Sequence, residues 1–93
     1  MATETFDNVF DALCDTAAEA ANMKARAELM LSIRERVAAW GFAQEEAARR
    51  LGLTRPRLND LLRGKIEKFS LDALVNIATA AGYALHIEVS EAA

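Results

Sequence analysis

The chain of 93 residues is long enough for one small core and carries a formal net charge of -3, with 53% hydrophobic but only 6% aromatic residues. No apolar run approaches the roughly 18 residues of a membrane span and no charged-then-apolar leader opens the sequence, so a cytoplasmic protein is expected. A single cysteine, Cys14, excludes an intramolecular disulfide and any multi-cysteine metal site.

In chain order, Phe6, Val9, Phe10 and Leu13 fall at i, i+3, i+4 and i+7, with Asp7, Asp11 and Asp15 on the other side. Residues 1–16 therefore read as an acidic amphipathic helix, or as a segment that becomes one on binding. Thr16-Ala17-Ala18-Glu19 has capping-box spacing and opens a long helix to about Trp40, with Leu29, Met30, Ile33 and Val37 inward and Gly41 as its stop. Trp40 and Phe42 flank that glycine and are expected in the core, while Arg34 and Arg36 are expected to pair with Glu35, Glu28 or solvent.

The stretch from Gln44 to Gly64 reads as two short helices around a tight turn. Ala47, Ala48, Leu51, Leu53, Leu58, Leu61 and Leu62 can pack inward. Gly52 suits the turn, Thr54 is the expected N-cap of the second helix, and Pro56 falls in its first turn, where a missing N–H costs no hydrogen bond. Residues 44–63 thus match a helix-turn-helix motif. Ile66 and Phe69 are expected core anchors in the following connector. Ser70 caps a further helix to about Ala81, burying Leu71, Leu74, Val75 and Ile77, and Gly82 stops it.

Tyr83, Leu85, Ile87 and Val89 then alternate with Ala84, His86, Glu88 and Ser90, the pattern of a strand over residues 83–89. A lone strand leaves its N–H and C=O groups unpaired, and the simplest partner is the same strand of a second copy across a two-fold axis. Tyr83, Leu85, His86, Ile87 and Val89 are then the dimer contact. The expected architecture is one all-α domain of five helices, with its helical core at 17–82 and one C-terminal β-strand.

Charge is unevenly distributed. Residues 1–22 hold Glu4, Asp7, Asp11, Asp15 and Glu19 with no Lys or Arg. Residues 53–69 hold Arg55, Arg57, Arg63, Lys65 and Lys68 against only Asp60 and Glu67. Phosphate binding depends on the local footprint, so a net negative chain can still present a basic surface to DNA. Arg can bind guanine O6 and N7, and Asn adenine N6 and N7, from a helix in the major groove. The expected DNA-contacting set is Gln44, Thr54, Arg55, Arg57, Asn59, Asp60, Arg63 and Lys65. Within it Gln44 and Lys65 suit phosphate, and Asp60 suits orienting an Arg or accepting from a cytosine amino group. Arg49 and Lys68 are further phosphate candidates. The plainer alternative for each is a solvated helix face.

The segment Gln44 to Gly64, followed by Lys65-Ile66-Glu67-Lys68-Phe69-Ser70-Leu71-Asp72-Ala73-Leu74, resembles the Cro/lambda-repressor (XRE) helix-turn-helix family, and within it the small HigA-type antitoxins and their orphan relatives. The resemblance implies a lambda-repressor-like fold and a homodimer that binds an operator and represses its own operon. It also implies a terminal extension able to hold a basic, RelE/HigB-like ribonuclease toxin. Ala43 stands where the family often has an N-capping Thr, Arg55 where relatives often carry Gln, and Asn59 replaces a common Ser, which bears on the DNA sequence preferred.

Phe6, Val9, Phe10 and Leu13 are the candidate toxin-binding residues, filling an apolar groove while Asp7, Asp11 and Asp15 meet basic side chains. The alternative is that this segment packs on its own domain, shielding Met23 or Met30. Other rival readings are an orphan regulator without a toxin and a protein whose main task is toxin neutralisation. Nothing in the sequence pairs a nucleophile with a base, and lone His86 with distant Cys14 makes no metal set, so neither catalysis nor a cofactor is expected.

Overall fold

A computed structural model of the chain describes residues 16–92. The expected N-terminal amphipathic helix, with Phe6, Val9, Phe10, Leu13 and Cys14, lies outside these residues.

The first described helix, α1, spans Ala17–Trp40, 24 residues, or about 36 Å at 1.5 Å per residue. It starts where the Thr16 hydroxyl accepts from the Glu19 N–H at 3.0 Å, satisfying one of the donors that a helix start leaves open. It stops at Gly41, and helix α2 follows over Gln44–Leu51. Helix α3 spans Arg55–Leu62, a 3₁₀ turn covers Ile66–Lys68, and helix α4 runs over Leu71–Ala80, capped by Ser70 Oγ accepting from the Ala73 N–H at 3.1 Å.

One core joins all four helices. Met30 and Ile33 of α1 meet Ala47, Ala48 and Leu51 of α2, Leu58 and Leu61 of α3, Phe69 of the connector, and Leu74, Ile77 and Ala78 of α4. Phe69, Ile33, Leu58, Leu61 and Leu74 are the largest fully buried side chains, and no polar or charged residue among those described is buried. The long α1 acts as a spine on which α4 and the α2–α3 pair are seated. Its ends and inward residues follow the sequence pattern, with Leu29 and Val37 half-buried against the core. Trp40 and Ile66 also pack only partly, and Phe42 is 39% exposed, so the expected burial of Phe42 does not occur.

The C-terminal strand expected over residues 83–89 is not formed. The described residues contain four α-helices and a 3₁₀ turn, without a β-strand, so the five-helix-plus-strand architecture is corrected to an all-α one. Alternation of apolar residues is necessary for a half-buried strand but not sufficient, because a ladder also needs a neighbour to pair with. Only Tyr83 of the apolar set packs against the core; Leu85, Ile87 and Val89 are 45%, 72% and 87% exposed. This segment runs alongside α1 and α4, enclosing with Leu29, Leu71 and Val75 a shallow groove of about 490 Å³.

Candidate nucleic-acid interface

Helix α3 is fixed at both ends and along one side, so its outer side chains have a defined stage. At its start the Thr54 hydroxyl accepts from the Arg57 N–H at 3.2 Å, and Pro56 occupies the first turn. Thr54 is thus engaged as a cap, although its residue remains exposed. Leu58 and Leu61 anchor the inner side at 0% exposure. At its end Gly64 adopts φ 73°, and the N–H groups of Gly64 and Lys65 return to the carbonyls of Leu61 and Asp60 at 3.0 and 3.1 Å. That is a Schellman cap, and it satisfies carbonyls the helix end would otherwise leave open. The same cap joins α2 to α3: Gly52, also at φ 73°, and Leu53 donate to Arg49 and Ala48 carbonyls at 3.2 and 2.8 Å.

Arg55, Asn59 and Arg63 are all exposed and spaced at i, i+4 and i+8. Four-residue spacing places them in one stripe, about 12 Å long, on the side away from Leu58 and Leu61. Two cations and a carboxamide offer only hydrogen-bond donors plus one acceptor, which suits guanine and adenine edges.

Arg57 and Asp60, one turn apart, turn toward the connector instead. Arg57 Nη1 donates to the Lys68 carbonyl at 2.7 Å, and its guanidinium carbon lies 3.9 Å from the centroid of the buried Phe69 ring. Asp60 stands between two ammonium groups, with Lys65 Nζ at 3.9 Å and Lys68 Nζ at 4.0 Å from its two carboxylate oxygens. The lysines are therefore gathered beside α3 rather than spread over the surface.

Gln44 is exposed at the first position of α2, where the N-cap, Ala43, offers no side-chain acceptor. Two carboxylates follow in that first turn, Glu45 and Glu46. Glu46 is met by both arginines of the last turn, with Arg49 Nη2 at 2.6 Å and Arg50 Nε at 2.9 Å. The hydrogen bond from Arg49, helped by Arg50, holds the Glu46 carboxyl below its usual range. Its charge is thereby countered by two cations of the same helix.

Three sets of contacts, two of them between parts of the chain far apart in sequence, had no signal in the sequence. Arg26 Nη1 donates to the carbonyls of Ile66 and Phe69, each at 3.1 Å, while its Nε holds Asn22 Oδ1 at 2.7 Å. The Tyr83 hydroxyl donates to the Ser32 carbonyl at 2.9 Å, and the Arg36 guanidinium covers the Tyr83 ring at 4.2 Å. Arg50 covers Phe42 at 4.3 Å, and Phe42 in turn sits 5.5 Å from Trp40. Tyr83 thus packs on its own chain, whereas Leu85, His86, Ile87 and Val89 are exposed. The candidate toxin contacts Phe6, Val9, Phe10 and Leu13 are outside the described residues.

Among the described residues no group of three His, Cys, Asp or Glu side chains could hold a metal ion, and no helix is long and apolar enough to cross a membrane. A family model described as a helix-turn-helix domain matches residues 12–90 of the chain. No curated protein matches it.

Proposed function

The chain belongs to that helix-turn-helix domain family, and on that premise we propose that it is a sequence-specific DNA-binding transcriptional repressor. The observation that carries this reading is the exposed Arg55/Asn59/Arg63 stripe on a helix whose opposite side is locked into the core, with Lys65 and Lys68 gathered beside it. Helix α3 enters the major groove, and Arg55, Asn59 and Arg63 meet base edges. Lys65, Lys68 and Gln44 meet phosphates and set the register of the helix in the groove.

The protein works as a homodimer, since two reading helices about 34 Å apart meet successive major grooves on one face of the duplex. The exposed Leu85, Ile87 and Val89 are the apolar surface that a second copy would cover. The resemblance to HigA-type antitoxins supports a finer reading, an autoregulatory antitoxin in the cytoplasm. In that reading the acidic segment with Phe6, Val9, Phe10 and Leu13 holds a basic RelE/HigB-like toxin.

Fluorescence anisotropy of a duplex from the promoter upstream of the gene tests the DNA-binding role. An Arg55/Asn59/Arg63 triple alanine variant should lose about 1–3 kcal/mol for each base contact removed. Unchanged affinity in that variant, with its melting temperature preserved, would refute the assignment. Co-purification of the chain with the product of the adjacent gene tests the antitoxin role.

A further inference from the structure

Five of the seven charged side chains between Leu53 and Phe69 belong to cations, and of the three arginines among them only Arg57 does not share the solvent-facing stripe. Its guanidinium is held between a carbonyl and a buried ring: Nη1 donates to the Lys68 oxygen at 2.7 Å, and the Phe69 centroid lies at 3.9 Å. The ring itself is 1% exposed, so Arg57 covers the solvent side of a core residue. From the other side of the connector, Arg26 holds the carbonyls of Ile66 and Phe69 at 3.1 Å. Two arginines from two helices thus fix the carbonyls of Ile66, Lys68 and Phe69 in a segment whose own structure is a single 3₁₀ turn. That segment carries Lys65 and Lys68, and Asp60 draws both ammonium groups back toward α3.

We propose that Arg57 is a positioning residue, which fixes the connector by the Lys68 carbonyl and the Phe69 ring so that Lys65 and Lys68 meet the DNA backbone beside the reading helix. This rests on the DNA-binding reading above and deepens it, dividing α3 into a base-reading stripe and a side that arranges phosphate contacts. The physical reason is that a lysine contributes to binding as a point charge on a flexible stem, so its usefulness depends on where its backbone is held. A short 3₁₀ turn has poor hydrogen-bond geometry and gains its definition from such outside anchors.

The test is a double-mutant cycle in DNA binding, read against salt concentration with both operator and unrelated duplex. Arg57→Ala should weaken both duplexes alike by roughly tenfold and make the slope of log K against log salt shallower by about one to two. In a Lys65→Ala/Lys68→Ala background the same substitution should have almost no further effect, because the groups it positions are gone. Additive losses would overturn the proposal, since they would mean that Arg57 touches DNA itself. A loss confined to operator with an unchanged salt slope would overturn it too, making Arg57 a base reader, and so would unchanged affinity. Arg57→Met keeps an apolar stem over Phe69 without the donor, and the same cycle run with it serves if the alanine variant does not fold. Wild-type protein that binds no duplex would sink the DNA-binding reading along with this one. Binding that depends on Arg55, Asn59 and Arg63 while the Arg57 cycle is additive would sink only this one.

Discussion

Gly52 and Gly64 form a matched pair, because both sit at φ 73° at the C-terminal caps of the two helices of the motif. An alanine at either must adopt the left-handed region, which costs about 1–2 kcal/mol for a residue with a β-carbon. Part of that is offset, by about 0.4–1 kcal/mol, because alanine also narrows the unfolded ensemble. A net loss of about 1 kcal/mol remains, or a fall of roughly 4–8 °C in melting temperature for a domain of this size. The surroundings differ: a β-carbon at Gly52 meets nothing within 4 Å, whereas one at Gly64 meets Arg34 Nη1 at 3.3 Å. That neighbour is the far end of a flexible side chain and can move aside, so Gly64→Ala should cost no more than a few tenths of a kcal/mol beyond Gly52→Ala. Asparagine tolerates the left-handed region better, and the Asn variants should recover part of the loss at both sites. Circular dichroism melts and urea titrations of the four variants measure this. Alanine variants as stable as the wild type would refute the backbone argument. A Gly64→Ala cost several-fold that of Gly52→Ala would show that the Arg34 contact is rigid.

Replacing Arg26 with Gln should cost about 1.5–3 kcal/mol in urea titrations, because it removes charge-assisted hydrogen bonds to the half-buried Ile66 and Phe69 carbonyls. Tyr83→Phe keeps the ring under Arg36 but deletes the hydroxyl donor to Ser32, and should cost about 0.5–1.5 kcal/mol while leaving secondary structure unchanged by circular dichroism. Glu46 has its folded pKa lowered below the ordinary 4.5, chiefly by the Arg49 hydrogen bond. Its contribution is therefore present above that ordinary value and lost as pH falls through the folded one. A carboxyl-carbon NMR titration should place the Glu46 midpoint below that of an unfolded reference, and Arg49→Ala should move it back up.

What the sequence determined by itself was local. Thr16, Thr54 and Ser70 cap helices through N–H groups three residues on, so the hydroxyl, the spacing and the first turn can be read together from one short stretch. Gly52 and Gly64 end the two helices of the motif for the same kind of reason, since tolerance of left-handed backbone is a property of the residue type itself. The 3.6-residue spacing of apolar side chains located the inner face of α3, and with it the outward Arg55, Asn59 and Arg63.

Tertiary structure decided the rest. Whether Arg57 points to solvent or folds back depends on where the Lys68 carbonyl and the Phe69 ring come to rest, and no periodicity encodes an unpaired carbonyl elsewhere in the chain. The contacts of Arg26 with Ile66 and Phe69, and of Tyr83 with Ser32, join parts of the chain far apart in sequence in the same way. The C-terminal segment makes the distinction sharpest. Its alternation is local and was legible, but a strand is a relation between two backbones, and the described residues supply no second one.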